Sequence, residues 1–264
     1  MEFDLSDLKN LLKSRSVRRQ SNHREYALLA LGFSYSENKL KQYISRALCE
    51  GDALACRQGV YYRLSDASGA QFWVRTRHLG QVSGVDVFFE GETSTPFGLE
   101  DIRMDDDYDP LDGGFYGWSQ AVADSSGDPE TPFTGDFPTA FGVPDFARHL
   151  DLPLPALRVV QYAAFAKGIS AYVDESDFSL RAPWKIASRS FFPVDELNSW
   201  VTFAGEVLDC GMRSNGISGQ EFAWAKVQAY GATLDVAANP RTVRGTLVPG
   251  GYVMGHFWLR GRLL

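Results

Sequence analysis

The sequence predicts an α+β protein. N-terminal helices and antiparallel strands come first, a long ordered acidic loop region follows, and a C-terminal antiparallel region resembles a small β-barrel. Three observations predict this class. Apolar residues recur at helical spacing near the start of the chain, they alternate with polar residues over the last third, and neither pattern appears between residues 91 and 155. With 264 residues, of which 44% are hydrophobic, the chain can bury a substantial core.

The domain organisation is less sharply indicated, because no linker of distinct composition divides the chain. We place a boundary near residue 155. Residues 1–155 then form an α+β region with acidic, aromatic-rich loops, and residues 156–264 form a helix followed by the barrel-like sheet. A single domain is also compatible with this length.

Three helices are expected before the first strands. Asp4–Leu12 carries leucines on one helical stripe, a second helix follows over residues 24–31, and Ser36 is a typical N-cap for a third helix that reaches Cys49. The alternating segments after it predict a hairpin and a third strand, over residues 59–64, 70–75 and 84–90.

The same order of elements also describes a winged helix, a DNA-binding module. In that interpretation Lys39, Lys41 and Arg46 would lie on the recognition helix. A net charge of −7 argues against it, since phosphate contacts supply most of the non-specific affinity for DNA.

The segment from Gly91 to Pro155 is rich in Gly, Pro, Ser, Thr and Asp, but it also holds many aromatic residues. Disordered segments contain few aromatics. We therefore expect long ordered loops that wrap over the core, with only short regular elements.

The C-terminal third gives the clearest strand pattern. Four strands are predicted, over residues 202–213, 220–230, 232–238 and 251–263. Glycines inside these strands favour a curled sheet, and an OB-like barrel is our first choice. Before them, Leu157–Lys167 fits a helix or a buried strand, and its alanines together with the following Gly168 favour the helix.

Charge is distributed unevenly. From Asp86 to Asp151 the chain has 16 acidic residues and two basic ones, Arg103 and Arg148, and we call this segment the acidic belt. Such a block fits a basic protein partner, or docking within the molecule.

Composition also indicates the compartment. The three cysteines, Cys49, Cys56 and Cys210, show no CxxC spacing, which argues against a disulfide framework or a zinc site and favours a reducing cytosol. The first residues lack the apolar segment of a signal peptide, and the sequence contains no apolar run long enough to span a membrane. We expect a cytoplasmic protein that does not contact membranes.

The densest part of the acidic belt, residues 104–114, matches a calcium-binding loop only in part. Asp105, Asp107 and Asp109 occupy the first three ligand positions of an EF-hand, but Pro110 stands where the loop needs glycine and Tyr116 where it needs glutamate. Only a looser metal site at these aspartates stays open, and no cofactor is predicted.

Catalytic signatures are weak throughout the sequence. It contains no GxSxG, HExxH, Walker or GxGxxG motif. A hydrolase or metal-dependent enzyme would have to use clustered carboxylates at residues 105–112 and 174–177, which share one solvent-like environment. The sequence therefore favours a non-catalytic protein.

The sharpest candidate site is one face of the C-terminal sheet. Aromatic and basic residues alternate with small or apolar ones along two predicted strands and would form a platform if the strands are neighbours. The candidate contact residues are Phe222, Trp224, Lys226, Tyr252, His256, Trp258 and Arg260.

Tryptophan, tyrosine and arginine are enriched at protein interaction hot spots, so we predict a protein-interaction module with the acidic belt directed at a basic partner. The alternative is an OB-like protein that stacks single-stranded nucleic acid on the same rings. A third possibility is that other parts of the chain bury this face.

Overall fold

The computed structural model describes residues 15–77, 80–104, 109–124, 132–194 and 199–264, with side chains in the first helix from His23 onward. The α+β class is confirmed. The described helices are α1 (Arg15–Ala30), α2 (Glu37–Glu50) and α3 (Glu175–Arg181). The strands are β1 (Asp52–Cys56), β2 (Gly59–Ser65), β3 (Ala70–Arg77), β4 (Val82–Phe89), β5 (Thr95–Arg103), β6 (Gly114–Ser119), β7 (Val122–Ala123), β8 (Phe133–Thr134), β9 (Phe137–Gly142), β10 (Ala156–Tyr172), β11 (Ser190–Pro193), β12 (Trp200–Asn215), β13 (Gln220–Ala229), β14 (Ala232–Ala238), β15 (Val243–Arg244) and β16 (Tyr252–Leu263).

The N-terminal part is an antiparallel meander of β1 to β4 with α1 and α2 packed on it. Ser36 precedes α2, and the buried residues of α2 recur at helical spacing, so one stripe of the helix faces the sheet. The predicted hairpin is confirmed as β2 and β3. The first of the three expected helices, at Asp4–Leu12, lies outside the described residues.

Residues 91–155 were expected to be ordered loops, and this is wrong for β5, β6 and β9, which belong to a ten-stranded sheet. Glycines inside these strands hide the alternation. A Cβ at Gly117 would overlap the backbone of Gly98 on the neighbouring strand, so close approach of two strands requires glycine there.

The favoured helix over Leu157–Lys167 is also wrong, because this segment lies within the 17-residue strand β10. Its alanines are buried on both faces of the sheet, since Ala163 packs into one hydrophobic core and Ala164 and Ala166 pack into another. Small side chains fit a strand that is covered on both faces. Alanine also has the highest helix propensity, so the sequence alone favours a helix here.

In the ten-stranded sheet, β10 and β16 are shared by two closed circuits of paired strands. One circuit runs β10, β14, β13, β12, β16 and back to β10. The other runs β10, β5, β6, β9, β16 and back to β10. Apolar side chains from both circuits form one core, and a second core joins the outer face of the sheet to α1, α2 and the meander.

These circuits cross the boundary expected near residue 155, because β5 and β9 pair with β10 and β16.

Candidate functional site

The predicted aromatic and basic face exists as one face of the sheet, but most of it is covered. Phe222, Trp224 and Trp258 lie in the core shared with the meander and the first two helices. Tyr252 packs against Phe178 of α3. These four rings are 0 to 8% exposed, so they do not form a surface platform.

The two predicted cations of this face are also engaged. Arg260 is buried and forms an ion pair with Asp86 of β4. Lys226 is half-buried and pairs with Glu92, with 2.5 Å between the ammonium and the carboxylate. Sequence alternation placed these residues on a common face correctly but could not reveal that the meander lies on top of it.

His256 is the exception, since it is exposed in the middle of the covered face. Its neighbours on this face of β16, Met254 and Trp258, are 4% and 7% exposed. Met254 lies under α3, whereas Trp258 lies under the N-terminal part. A gap between these two coverings therefore leaves His256 open.

The gap continues across four strands. Residues directly opposite one another in paired strands share a face of the sheet. Phe192 lies opposite Thr202, Thr202 opposite His256, and His256 opposite Gly168. Three strand spacings give a row about 14 Å long. We call this row, Phe192–Thr202–His256–Gly168, the His256 groove.

One wall of the groove follows α3. The indole of Trp184 meets the His256 ring edge-on, with 5.1 Å between the ring centroids, and is 42% exposed. On the floor, the Thr202 hydroxyl and Nδ1 of His256 are 2.8 Å apart. This contact holds the imidazole in one orientation beneath the indole.

The opposite wall consists of aromatic rings from α1 and β12. His23 and Tyr26 both meet Trp200 edge-on, at centroid distances of 5.1 and 6.3 Å. Burial, Arg24 and Lys167 together lower the pKa of His23, so its ring stays neutral around neutral pH. This wall therefore presents rings, together with the charge of Lys167.

A β-bulge in β10 ends the row. The pairing with β16 shifts between Ala166 and Gly168, which leaves Lys167 unpaired and exposed at the rim. The Lys167 ammonium lies 5.5 Å from the centre of the Tyr26 ring. A Cβ added to Gly168 would meet nothing closer than 3.7 Å, so the groove floor is open at this end.

The described contacts of His256 differ from those of a histidine base in a hydrolase. A histidine base in a hydrolase is oriented by a third group, usually a carboxylate. Among the described residues, His256 has no carboxylate partner, and its contacts are a hydroxyl and an indole.

Where the structure describes the proposed metal-binding aspartates, they hold arginines. Asp109 lies between Arg75 and Arg77, and Asp105 and Asp107 are outside the described residues. Asp112 forms ion pairs with Arg24 and with Arg75, the latter at 2.5 Å. The described chain contains no group of three His, Cys, Asp or Glu side chains that could hold a metal ion.

Burial favours a neutral Asp112, but Arg24 and Arg75 outweigh it and lower the pKa of this carboxyl to about 2. The expectation that these carboxylates share one solvent-like environment is therefore wrong for Asp112, which is buried, and for Asp109, which is half-buried beside two arginines.

Several other described carboxylates of the acidic belt are neutralised within the molecule in the same way. Their ion pairs with arginine and lysine join Asp86 to Arg260, Glu90 to Arg262, Glu92 to Lys226, Asp101 to Arg103 and Asp145 to Arg148. The second acidic cluster serves α3, since Asp174 accepts a hydrogen bond from the backbone N–H of Asp177.

Of the three cations considered for DNA contact, Lys41 pairs with Glu37 and Arg46 with Glu50, whereas Lys39 is exposed.

Comparisons with protein-family models, with curated proteins and with solved structures find no match to this chain. In the part of the chain that the structure describes, no helix is long and apolar enough to cross a membrane. The His256 groove is therefore the feature of the described chain from which a function is inferred.

Proposed function

We propose that this protein is a non-catalytic protein-interaction module that binds an extended segment of another protein in the His256 groove. The observation that carries this proposal is the open row of Phe192, Thr202, His256 and Gly168 on a face that is otherwise covered. At about 3.3 Å per residue, a groove of this length accommodates roughly four residues of extended chain. Exposed rings at its floor and walls are the side chains that protein hot spots prefer.

The proposal includes an OB-like architecture. Each closed circuit combines a three-stranded meander, one parallel pairing and a strand antiparallel to both of its neighbours, which is the arrangement of an OB fold. In the first circuit β14 runs parallel to β10 over three residue pairs, and in the second β9 runs parallel to β16 at one pair.

Single-stranded nucleic acid is the weaker candidate for electrostatic reasons. Affinity for a single strand changes by about 0.7 logarithmic units per phosphate neutralised for each tenfold change in salt. Two exposed lysines are adjacent in sequence to groove residues: Lys167 precedes Gly168, and Lys185 follows Trp184. The whole chain has a net charge of −7. Even with the exposed Arg244, which lies opposite Ser170 on the neighbouring strand, these few cations give a small electrostatic gain, so apolar contact dominates.

A basic partner has less support than the sequence suggested, because arginines and lysines of the same chain already bind much of the described belt. The cytoplasmic location remains part of the proposal. It is supported by Cys49, Cys56 and Cys210, which are all free thiols in the structure.

The test is a selection of random twelve-residue peptides displayed on phage, carried out on the intact protein and on two groove variants. Gly168→Val fills the open floor at a position where a strand tolerates a β-branched side chain, and Phe192→Ser removes an exposed ring. Tyr230→Ser is the matched control, because Tyr230 is 53% exposed on the turn between β13 and β14.

We expect the intact protein and Tyr230→Ser to enrich the same apolar or aromatic consensus, and both groove variants to lose it while keeping the wild-type melting temperature. Equal enrichment on all four proteins would show that the peptides bind elsewhere. If no peptide is enriched but an oligothymidylate quenches tryptophan fluorescence, the nucleic-acid alternative replaces this proposal.

A further inference from the structure

Lys167 is an exposed cation at the β-bulge of β10. The bulge in β10 leaves it without a partner in β16, next to Gly168 and across from His256. Bulges re-aim side chains and are common beside binding and active sites. The bulge therefore places a positive charge at the end of the His256 groove.

The charge of Lys167 is not neutralised by the described chain. Lys167 makes no ion pair among the described residues, and its ammonium lies over the ring of Tyr26 instead. Most of the described arginines, by contrast, are already paired with carboxylates. The available positive charge at this rim is therefore left for a ligand.

Carboxylates on the α3 side of the groove are committed to other groups. Glu206 forms an ion pair with Arg189, Asp177 with Arg181, and Glu175 accepts a hydrogen bond of 2.6 Å from Ser188. Lys185, which follows Trp184, is exposed and donates to the Ser179 carbonyl at 3.2 Å. The groove thus combines apolar rings with uncompensated cations.

We propose that the segment bound in the His256 groove is acidic, with a carboxylate beside an aromatic or aliphatic residue, and that Lys167 pairs with that carboxylate. This rests on the function proposed above and adds the chemistry of the partner. Rings on the floor and walls take the apolar side chain, and the lysine at the end of the row selects its acidic neighbour. The partner therefore differs from the basic one that the acidic belt suggested.

The test uses three dye-labelled seven-residue peptides that share two phenylalanines and differ only at the alternating positions, which hold glutamate, glutamine or lysine. Affinities are measured by fluorescence anisotropy for the intact protein, Lys167→Gln and Lys39→Gln. Lys39 is an exposed lysine of α2 and serves as the matched control. One ion pair at 4 Å in water corresponds to about a fivefold change in affinity.

We expect the glutamate peptide to bind about fivefold more tightly than the glutamine peptide, and the lysine peptide to bind more weakly than either. Lys167→Gln should remove the preference for glutamate, while Lys39→Gln should keep it. A preference that survives Lys167→Gln overturns the inference.

Two further outcomes separate this inference from the proposed function. If the glutamate and glutamine peptides bind equally, and Phe192→Ser abolishes both, the groove binds peptides but does not select acidic ones. If none of the three peptides binds and the displayed library also gives no consensus, both proposals fail. Tighter binding of an oligothymidylate at the same groove would likewise overturn a protein partner.

Discussion

Asp112 illustrates how single carboxylates of the acidic belt act. It is buried between Arg24 of α1 and Arg75 of β3, so it joins a helix, the meander and the segment before β6. A buried pair of this kind adds little net stability over apolar packing, but breaking it leaves an uncompensated charge. At this site the belt's charge therefore helps to assemble the molecule.

The low pKa of Asp112 predicts an acid-sensitive contribution to stability. Because the folded pKa of about 2 lies below the ordinary value of 3.8, the contribution is complete above pH 5 and is lost as the pH falls toward 2. At 1.36 kcal/mol per pKa unit, the loss is roughly 2 kcal/mol.

This is measured by urea denaturation at several pH values between 5.5 and 2.5. The difference in free energy of unfolding between the intact protein and Asp112→Asn should shrink over that range. Asp151→Asn, at an exposed position, should follow the intact protein. A pH-independent difference for Asp112→Asn would contradict the assignment.

At the scale of elements, sequence predicted the strands that turn residues separate and that are rich in β-branched and aromatic residues, including β3, which is buried on both faces. The strands β2, β3, β13, β14 and β16 were found close to their expected bounds. β10 was not, because Ala163 and Ala164 face two different cores and give no alternation. The short strand β1 was missed as well, since Asp52–Cys56 is short and has no β-branched or aromatic residue to mark a strand.

The segment that connects the meander to the large sheet is held by one buried carboxylate, Asp235 of β14. It accepts hydrogen bonds of 2.7 to 2.9 Å from the backbone of Glu92, the backbone and hydroxyl of Thr93, and the indole of Trp224. A Cβ at Gly91 would overlap the Asp235 carboxylate, so the connection approaches β14 closely. These contacts fix the segment between β4 and β5.

We predict that Asp235→Ala destabilises the protein by roughly 3 kcal/mol or more, because it leaves several buried donors without an acceptor. Chemical denaturation followed by circular dichroism measures the change. The exposed Asp209 provides the control, since Asp209→Ala should stay within about 0.5 kcal/mol of the intact protein. A loss below about 1 kcal/mol for Asp235→Ala would mean that the segment is held by other contacts.

The His256 groove exists only at the scale of the whole molecule. Its floor comes from β10, β11, β12 and β16, and its walls from α1 and the segment after α3. Sequence alternation placed His256 on the right face among the candidate contacts. It could not indicate which parts of that face α3 and the meander would cover, because those contacts join residues more than 70 positions apart. No sequence motif marks the other groove residues, which are Lys167, Gly168, Phe192 and Thr202. Only the register between the strands brings them together.

The two closed circuits differ in how much of the chain they need, and this difference predicts how separated fragments behave. The circuit of β10, β12, β13, β14 and β16 lies wholly within residues 156–264, whereas β5, β6 and β9 need β10 and β16 to close theirs. We expect fragment 156–264 to form β structure but to expose Trp224, Trp258 and Phe165, which the N-terminal part covers in the intact protein. It should therefore bind anilinonaphthalene sulfonate and self-associate.

Fragment 1–155 should show no cooperative thermal transition, because β5 and β9 lose their pairing with β10 and β16 and the meander loses the large sheet that covers its core. Mixing the fragments should restore a single transition and reduce dye binding. Circular dichroism melts and light scattering measure both effects. Two separately soluble fragments with cooperative transitions and little dye binding would instead establish two independent domains, and the covered face of β13 and β16 would then be an interface between them rather than part of one core.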